Sequence, residues 1–122
     1  MSKDFDAPFY RELTDAERNL LAWLIANGTR HAPAYAHQLP RLKVVGGCKC
    51  GCPSLDLAVG EKRSRTHGVS TVLADIGGHS PEGVPILVIL HACEGDISLL
   101  EIVSTDETEK FSLPIPEMLE MN

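Results

Sequence analysis

The sequence predicts an α+β fold, a pair of N-terminal helices packed on one face of an antiparallel meander of about five strands. Three observations lead there. A capping box opens an apolar run at helical spacing, the apolar period changes from helix-like to strand-like after about Arg41, and turn residues separate the strand-like runs. No internal repeat or low-complexity linker divides the 122 residues. The chain therefore reads as a single domain, with a lead-in at 1–13, a helical part at 14–41, an antiparallel sheet at 42–113 and an extended, proline-containing tail at 114–122.

Thr14-Asp15-Ala16-Glu17 is the capping box. The Thr14 hydroxyl accepts from the Glu17 amide, and the Glu17 carboxylate reaches back to the Thr14 amide. Leu13, Leu20, Leu21, Trp23, Leu24 and Ile25 follow at helical spacing, and Asn27-Gly28 is expected to stop the helix in a left-handed conformation. The helix spans about Asp15 to Asn27, with Glu17 occupied by the cap. A short second helix is expected from about Pro33 to Leu39, with Pro33 in its first turn and Pro40 closing it. Leu42–Val45 is a short strand. Leu55, Leu57 and Val59 alternate with Asp56 and Ala58 as a half-buried strand does. Val69–Ile76, Val84–Ala92 and Ile97–Ser104 complete the set. The Val84–Ala92 run is apolar on both faces, which suits the interior of a sheet, and Glu94-Gly95-Asp96 is a hairpin turn. A charged turn at Thr105–Lys110 leads to Phe111-Ser112-Leu113 and the prolines Pro114 and Pro116.

Composition narrows the function classes. Hydrophobic residues make up 43% and charged residues 23%, an ordinary globular balance. Only 5% are aromatic, so the core is built from Leu, Ile, Val and Ala. Acidic residues outnumber basic ones 17 to 11, a net charge of −6 that argues against phosphate backbones and anionic membranes as partners. The cluster Lys62-Arg63-Ser64-Arg65 reads as a solvated loop. The mixed N-terminus MSKDFDAPFY lacks a continuous apolar core, and the longest apolar run falls far short of the roughly 20 residues of a membrane span. Three of the four cysteines lie within five residues, too close to staple long loops. A cytoplasmic location is the expectation.

The cysteine segment Cys48-Lys49-Cys50-Gly51-Cys52-Pro53 falls between two strand runs, near the turn of an expected hairpin. Extended backbone places the three thiols on one face, and Gly51 at positive φ lets them converge. Convergent thiolates suit soft metals, zinc first among them. Cys93 is the candidate fourth ligand, with His91, His67 or His79 as substitutes. Zinc knuckles, however, separate paired cysteines by two to four residues, whereas here one residue intervenes. Three readings stay open: a structural metal site, a reversible Cys48–Cys52 disulfide, and packing of free cysteine as a small hydrophobe.

The run Cys48-Lys-Cys-Gly-Cys-Pro-Ser-Leu-Asp-Leu resembles the central motif of a family of small bacterial proteins marked by C-x-C-G-C-P-[ST]. The resemblance extends over about Leu42 to Leu119. It takes in the hairpin strand Asp96-Ile-Ser-Leu-Leu-Glu-Ile-Val-Ser and the end Leu113-Pro-Ile-Pro-Glu-Met-Leu. It implies the domain layout and no particular activity.

The remaining candidates have plain structural accounts. His91 shares a strand face with Cys93, but same-face neighbours two apart stand roughly 7 Å from each other, beyond hydrogen-bond reach. A half-buried, satisfied histidine is the expectation. His31 and His37 flank the short second helix, and His67 and His79 lie in loops. Asp56 and Asp75 read as solvent-side strand residues. Gly46-Gly47 and Gly77-Gly78 read as turn or bulge glycines, because neither pair opens a helix.

The functional expectation is a small non-catalytic protein-binding module. A toxin-neutralising, immunity-like protein is the concrete version, since an acidic face suits a basic nuclease or similar effector. Asp106, Glu107 and Glu109, with Glu117 and Glu120, are the expected contacts, and a solvated charged surface is the plainer account of them. The alternative is a metal or thiol-redox sensor working through Cys48, Cys50 and Cys52. A protein partner is expected, nucleic acid and membrane are not, and an exposed edge at Leu42–Val45 or near Phe111 would support a homodimer.

Overall fold

The computed structural model describes residues 11–47, 52–60 and 70–120. Among these residues, six strands form one antiparallel sheet: β1 (Arg11–Glu12), β2 (Leu42–Gly47), β3 (Leu55–Val59), β4 (Ser70–His79), β5 (Pro85–Cys93) and β6 (Asp96–Ser104). Their spatial order is β1-β2-β3-β6-β5-β4. Helix α1 (Asp15–Asn27) and a 3-10 helix (Ala32–Arg41) share a core with one face of the sheet. None of the described helices is long and apolar enough to cross a membrane.

The fold is α+β, but the sheet is not a five-stranded meander. Arg11–Glu12, expected in the lead-in, pairs with Lys43 and Val44 and adds a strand. The larger departure is that β3 lies beside β6 instead of β4. Ile97, Leu100 and Ile102 give β6 three fully buried apolar side chains in the core. It gains most from an interior place, while β4, with exposed Asp75 and the Gly77-Gly78 pair, tolerates an edge. Along β5, Ile86, Val88, Leu90 and Ala92 turn into the core, and Leu87, Ile89 and His91 are half-buried on the opposite face. Asp56 corrects the alternation reading: it is buried, at 8% exposure, although its position in the strand is solvent-side by period.

Helix α1 has the bounds its sequence predicts. The Glu17 amide donates to Thr14 Oγ1 at 3.1 Å and the Thr14 amide to Glu17 Oε1 at 2.9 Å. Arg11 adds a two-pronged pair to the same carboxylate at 2.9 and 2.8 Å, tying β1 to the helix start. Burial pushes the Glu17 carboxyl up, but the Arg11 hydrogen bonds, the Thr14 amide and the Arg11 charge outweigh it and leave the group below its ordinary value. The helix does not end in a left-handed glycine. Gly28 has φ −87° and ψ −150°, and glycine serves there by close approach, since a Cβ would stand 2.0 Å from the Leu73 carbonyl oxygen.

The 3-10 helix replaces the expected short second helix and runs through Pro40 to Arg41. Its buried Gln38 holds the β5–β6 hairpin: Nε2 donates to the Gly95 carbonyl at 2.7 Å, and Oε1 accepts from the Ile97 amide at 2.9 Å. The hairpin turn has positive φ at both Glu94 and Gly95, as a two-residue type I′ turn requires.

Neither expected dimerisation edge is open. Strand β2 lies between β1 and β3, and Phe111 is buried outside any strand. The outer edge of β4 is covered at two places. Thr29 donates to the Leu73 and Val72 carbonyls at 2.8 and 3.1 Å, and the Glu120 amide donates to Gly77 at 2.8 Å beside a Gly78–Leu119 bridge. The tail is therefore not simply extended: it makes a 3-10 turn at Pro116–Met118 and docks on β4.

The two adjacent glycines of β4 make a sharp test of this docking. A Cβ on Gly78 would stand 2.3 Å from the Met118 carbonyl oxygen, whereas one on Gly77 would meet only Ile86 oxygen at 3.8 Å. In urea unfolding, Gly78→Ala is expected to lose about 2 kcal/mol or more, and Gly77→Ala to stay within about 0.5 kcal/mol of the parent.

Candidate functional site

Cys52 and the acidic turn meet at one end of the sheet. Cys48, Cys50 and His67 lie outside the described residues. Cys52 is half-buried where the chain enters β3, and its thiol donates to Ser54 Oγ at 3.4 Å. Ser54 in turn accepts from the Ile102 amide at 2.8 Å and donates to the Ile102 carbonyl at 3.1 Å. Two backbone groups of β6 thus hold Ser54, which fixes Cys52 next to the last residues of that strand.

Three of the candidate fourth ligands, Cys93, His91 and His79, are placed away from Cys52. Cys93 is buried and pairs with Asp96 at the first residue of β6. Cys52 borders Ile102, Val103 and Ser104 at the other end of that strand. At about 3.3 Å per residue the two ends are roughly 20 Å apart, so one metal ion with bonds of about 2.3 Å does not reach both thiols. His91 lies opposite Leu99, and its Nε2 is 2.9 Å from Glu101 Oε1, a satisfied and half-buried histidine. His79 ends β4, exposed and three strands away from β3. Among the described residues no three His, Cys, Asp or Glu side chains converge as a metal site.

The structure instead brings Cys52 to a small open cavity of about 230 Å³. Val103 and Phe111 give it apolar walls, and Glu107 and Glu109 line it from the turn after β6. Phe111 is buried, and Val103 is 37% exposed. The turn is tied to itself. Ser104 Oγ donates to the Thr108 carbonyl at 2.6 Å, and the Thr108 amide donates to Asp106 Oδ1 at 3.1 Å. The Thr108 hydroxyl and amide hold the Asp106 carboxyl below its ordinary value. Glu107 sits at φ 70°, a left-handed conformation that costs a non-glycine residue about 1–2 kcal/mol.

Sequence reasoning placed Asp106, Glu107 and Glu109 on a charged turn and missed what stands beside them. No local signal marks Phe111 as a cavity wall or Ser54 as a bridge, because both roles depend on which strand lies next to β3. The Phe111 wall is held from outside. The Ser112 amide donates to Glu82 Oε1 at 3.0 Å and its hydroxyl to Oε2 at 2.5 Å, across from the β4–β5 loop.

No family model, curated protein or solved structure matches the chain.

The Glu82 pin gives a pH test. The Ser112 hydroxyl, the Ser112 amide and the Ser80 hydroxyl bring the Glu82 carboxyl down to about 2. A depressed carboxyl stabilises the fold fully above the unfolded carboxylate range near about 4.3, and that contribution is lost as pH falls through the folded value. The Ser112 amide resonance is expected to titrate with a midpoint near 2. In Glu82→Gln that transition is expected to disappear from Ser112, and a midpoint near 4 in the parent would show the pin unmade in solution.

Proposed function

We propose that the protein is a small non-catalytic protein-binding module that covers a basic partner with the acidic end of its sheet, as an immunity protein covers a toxin. The observation that carries this reading is the self-tied turn bearing Asp106, Glu107 and Glu109 beside partly exposed Val103. A fixed acidic rim around apolar surface is the usual anatomy of a contact patch, where charge steers the partner and the apolar centre holds it. The chain's net charge of −6 favours the same kind of partner. The turn also spends conformational energy on Glu107, consistent with a surface whose shape matters.

The capture experiment uses the immobilised full chain, with retained proteins identified and then purified for a direct affinity measurement. A basic protein is expected, released by roughly 0.5 M salt because the contact is charge-dependent. The variant Asp106→Asn/Glu107→Gln/Glu109→Gln is expected to lose most of its affinity. Equal binding by that variant, or a bound partner that is acidic and indifferent to salt, would remove this surface from the account.

We further propose that Cys48, Cys50 and Cys52 hold a structural metal, zinc by the softness of thiolate donors. Bound there, the ion would brace the chain's entry into β3. Elemental analysis of tag-free protein is expected to give about one zinc per chain with the segment's thiols masked until unfolding. Metal-free protein with all four cysteines titratable would sink both this reading and the disulfide one.

A further inference from the structure

The cavity beside Cys52 has a property that the acidic turn alone does not. Val103 and Phe111 give it apolar walls, and the exposed residues Glu107 and Glu109 stand at its lip. Among the described residues that line it, none is Lys, Arg or His. At about 230 Å³ it is smaller than the roughly 300–1,000 Å³ pockets that enclose small-molecule ligands. It is open on one side, shallow enough for an inserted side chain and charged at the point where such a chain would end.

Resting on the reading that the protein covers a basic partner, we infer that this cavity is the anchor point, seating one Lys or Arg side chain of that partner. The aliphatic stem lies along Phe111 and Val103, and the charged head meets Glu107 and Glu109. Long basic side chains are built for such a site, since the stem is apolar and only the tip carries charge. Arginine is also the charged residue most enriched among interface anchors. The two carboxylates at the lip match one cationic head in sign, and an acidic side chain would be repelled there.

The test is an amide-resolved NMR titration of the full chain with the blocked tripeptides acetyl-Gly-Arg-Gly-amide and acetyl-Gly-Lys-Gly-amide. The matched peptides with norleucine or glutamate at the centre, and free hexylamine, are titrated alongside. The basic tripeptides are expected to shift the Ile102, Val103, Thr108 and Phe111 amides saturably, at least about tenfold more tightly than the norleucine peptide. The glutamate peptide is expected to leave them unmoved. Glu107→Gln/Glu109→Gln, both exposed positions, should abolish the preference while keeping the dispersion of a folded spectrum.

Equal response to norleucine would overturn the charged anchor and leave an apolar dimple. Response to hexylamine without response to either basic tripeptide would overturn a protein side chain as the occupant. No saturable shift from any probe would overturn the site altogether. The tripeptides report on the cavity alone, whereas capture reports on the whole surface. A captured basic partner with a negative titration rejects the anchor and keeps the binding module. A positive titration with no captured partner keeps the cavity's selectivity and rejects the module.

Discussion

The contact on which the rest of the structure depends is the seam between β3 and β6. It joins two otherwise separate antiparallel sets, β1-β2-β3 and β6-β5-β4, and only two residue pairs register across it, Leu55 with Leu100 and Asp56 with Leu99. A ladder that short is marginal for holding two halves of a sheet. Ser54 lengthens it with a side chain in place of backbone, bonding both the amide and the carbonyl of Ile102. The same residue accepts from Cys52, so the residue that closes the sheet also fixes the last cysteine of the segment.

Other contacts brace both ends of the sheet. Glu82 fixes Ser112, the neighbour of Phe111, and the C-terminal turn docks Leu119 against Gly78. Gln38 fixes the far end of β6 by satisfying the buried Ile97 amide. Strand β6 is thus restrained at its start by the 3-10 helix and at its end by Ser54. The cavity lies where β6 ends, beside the strand residue that Ser54 holds. Rigidity of that kind lowers the entropy cost of receiving a partner and supports a binding role.

How much of this was legible follows from how local each signal is. The bounds of α1 follow from the capping box and apolar spacing, both contained within its own residues, and the β5–β6 hairpin follows from its alternation and the Glu94-Gly95 turn. Strand order is different, because β3 pairs with a strand more than 40 residues later and nothing in either run names the other. Gly28 was misread for the same reason: Asn27-Gly28 is a local stop signal, but the requirement is tertiary, the nearness of Leu73. Asp56 follows the alternation and is buried nonetheless, since alternation assumes that the second face of the sheet is open. At the site, the acidity of residues 106–109 was legible from composition, and their meeting with Cys52 and Phe111 was not.

The most direct test of the seam is native-state hydrogen exchange at the Ile102 amide, compared between the parent chain and Ser54→Ala. If Ser54 closes the β3–β6 seam, the Ile102 amide exchanges at least about tenfold faster in the variant, while the Ile97 amide, held by Gln38, keeps its protection. Unchanged protection of Ile102 in Ser54→Ala would contradict the account, because the two halves of the sheet would then be joined by something other than this bridge.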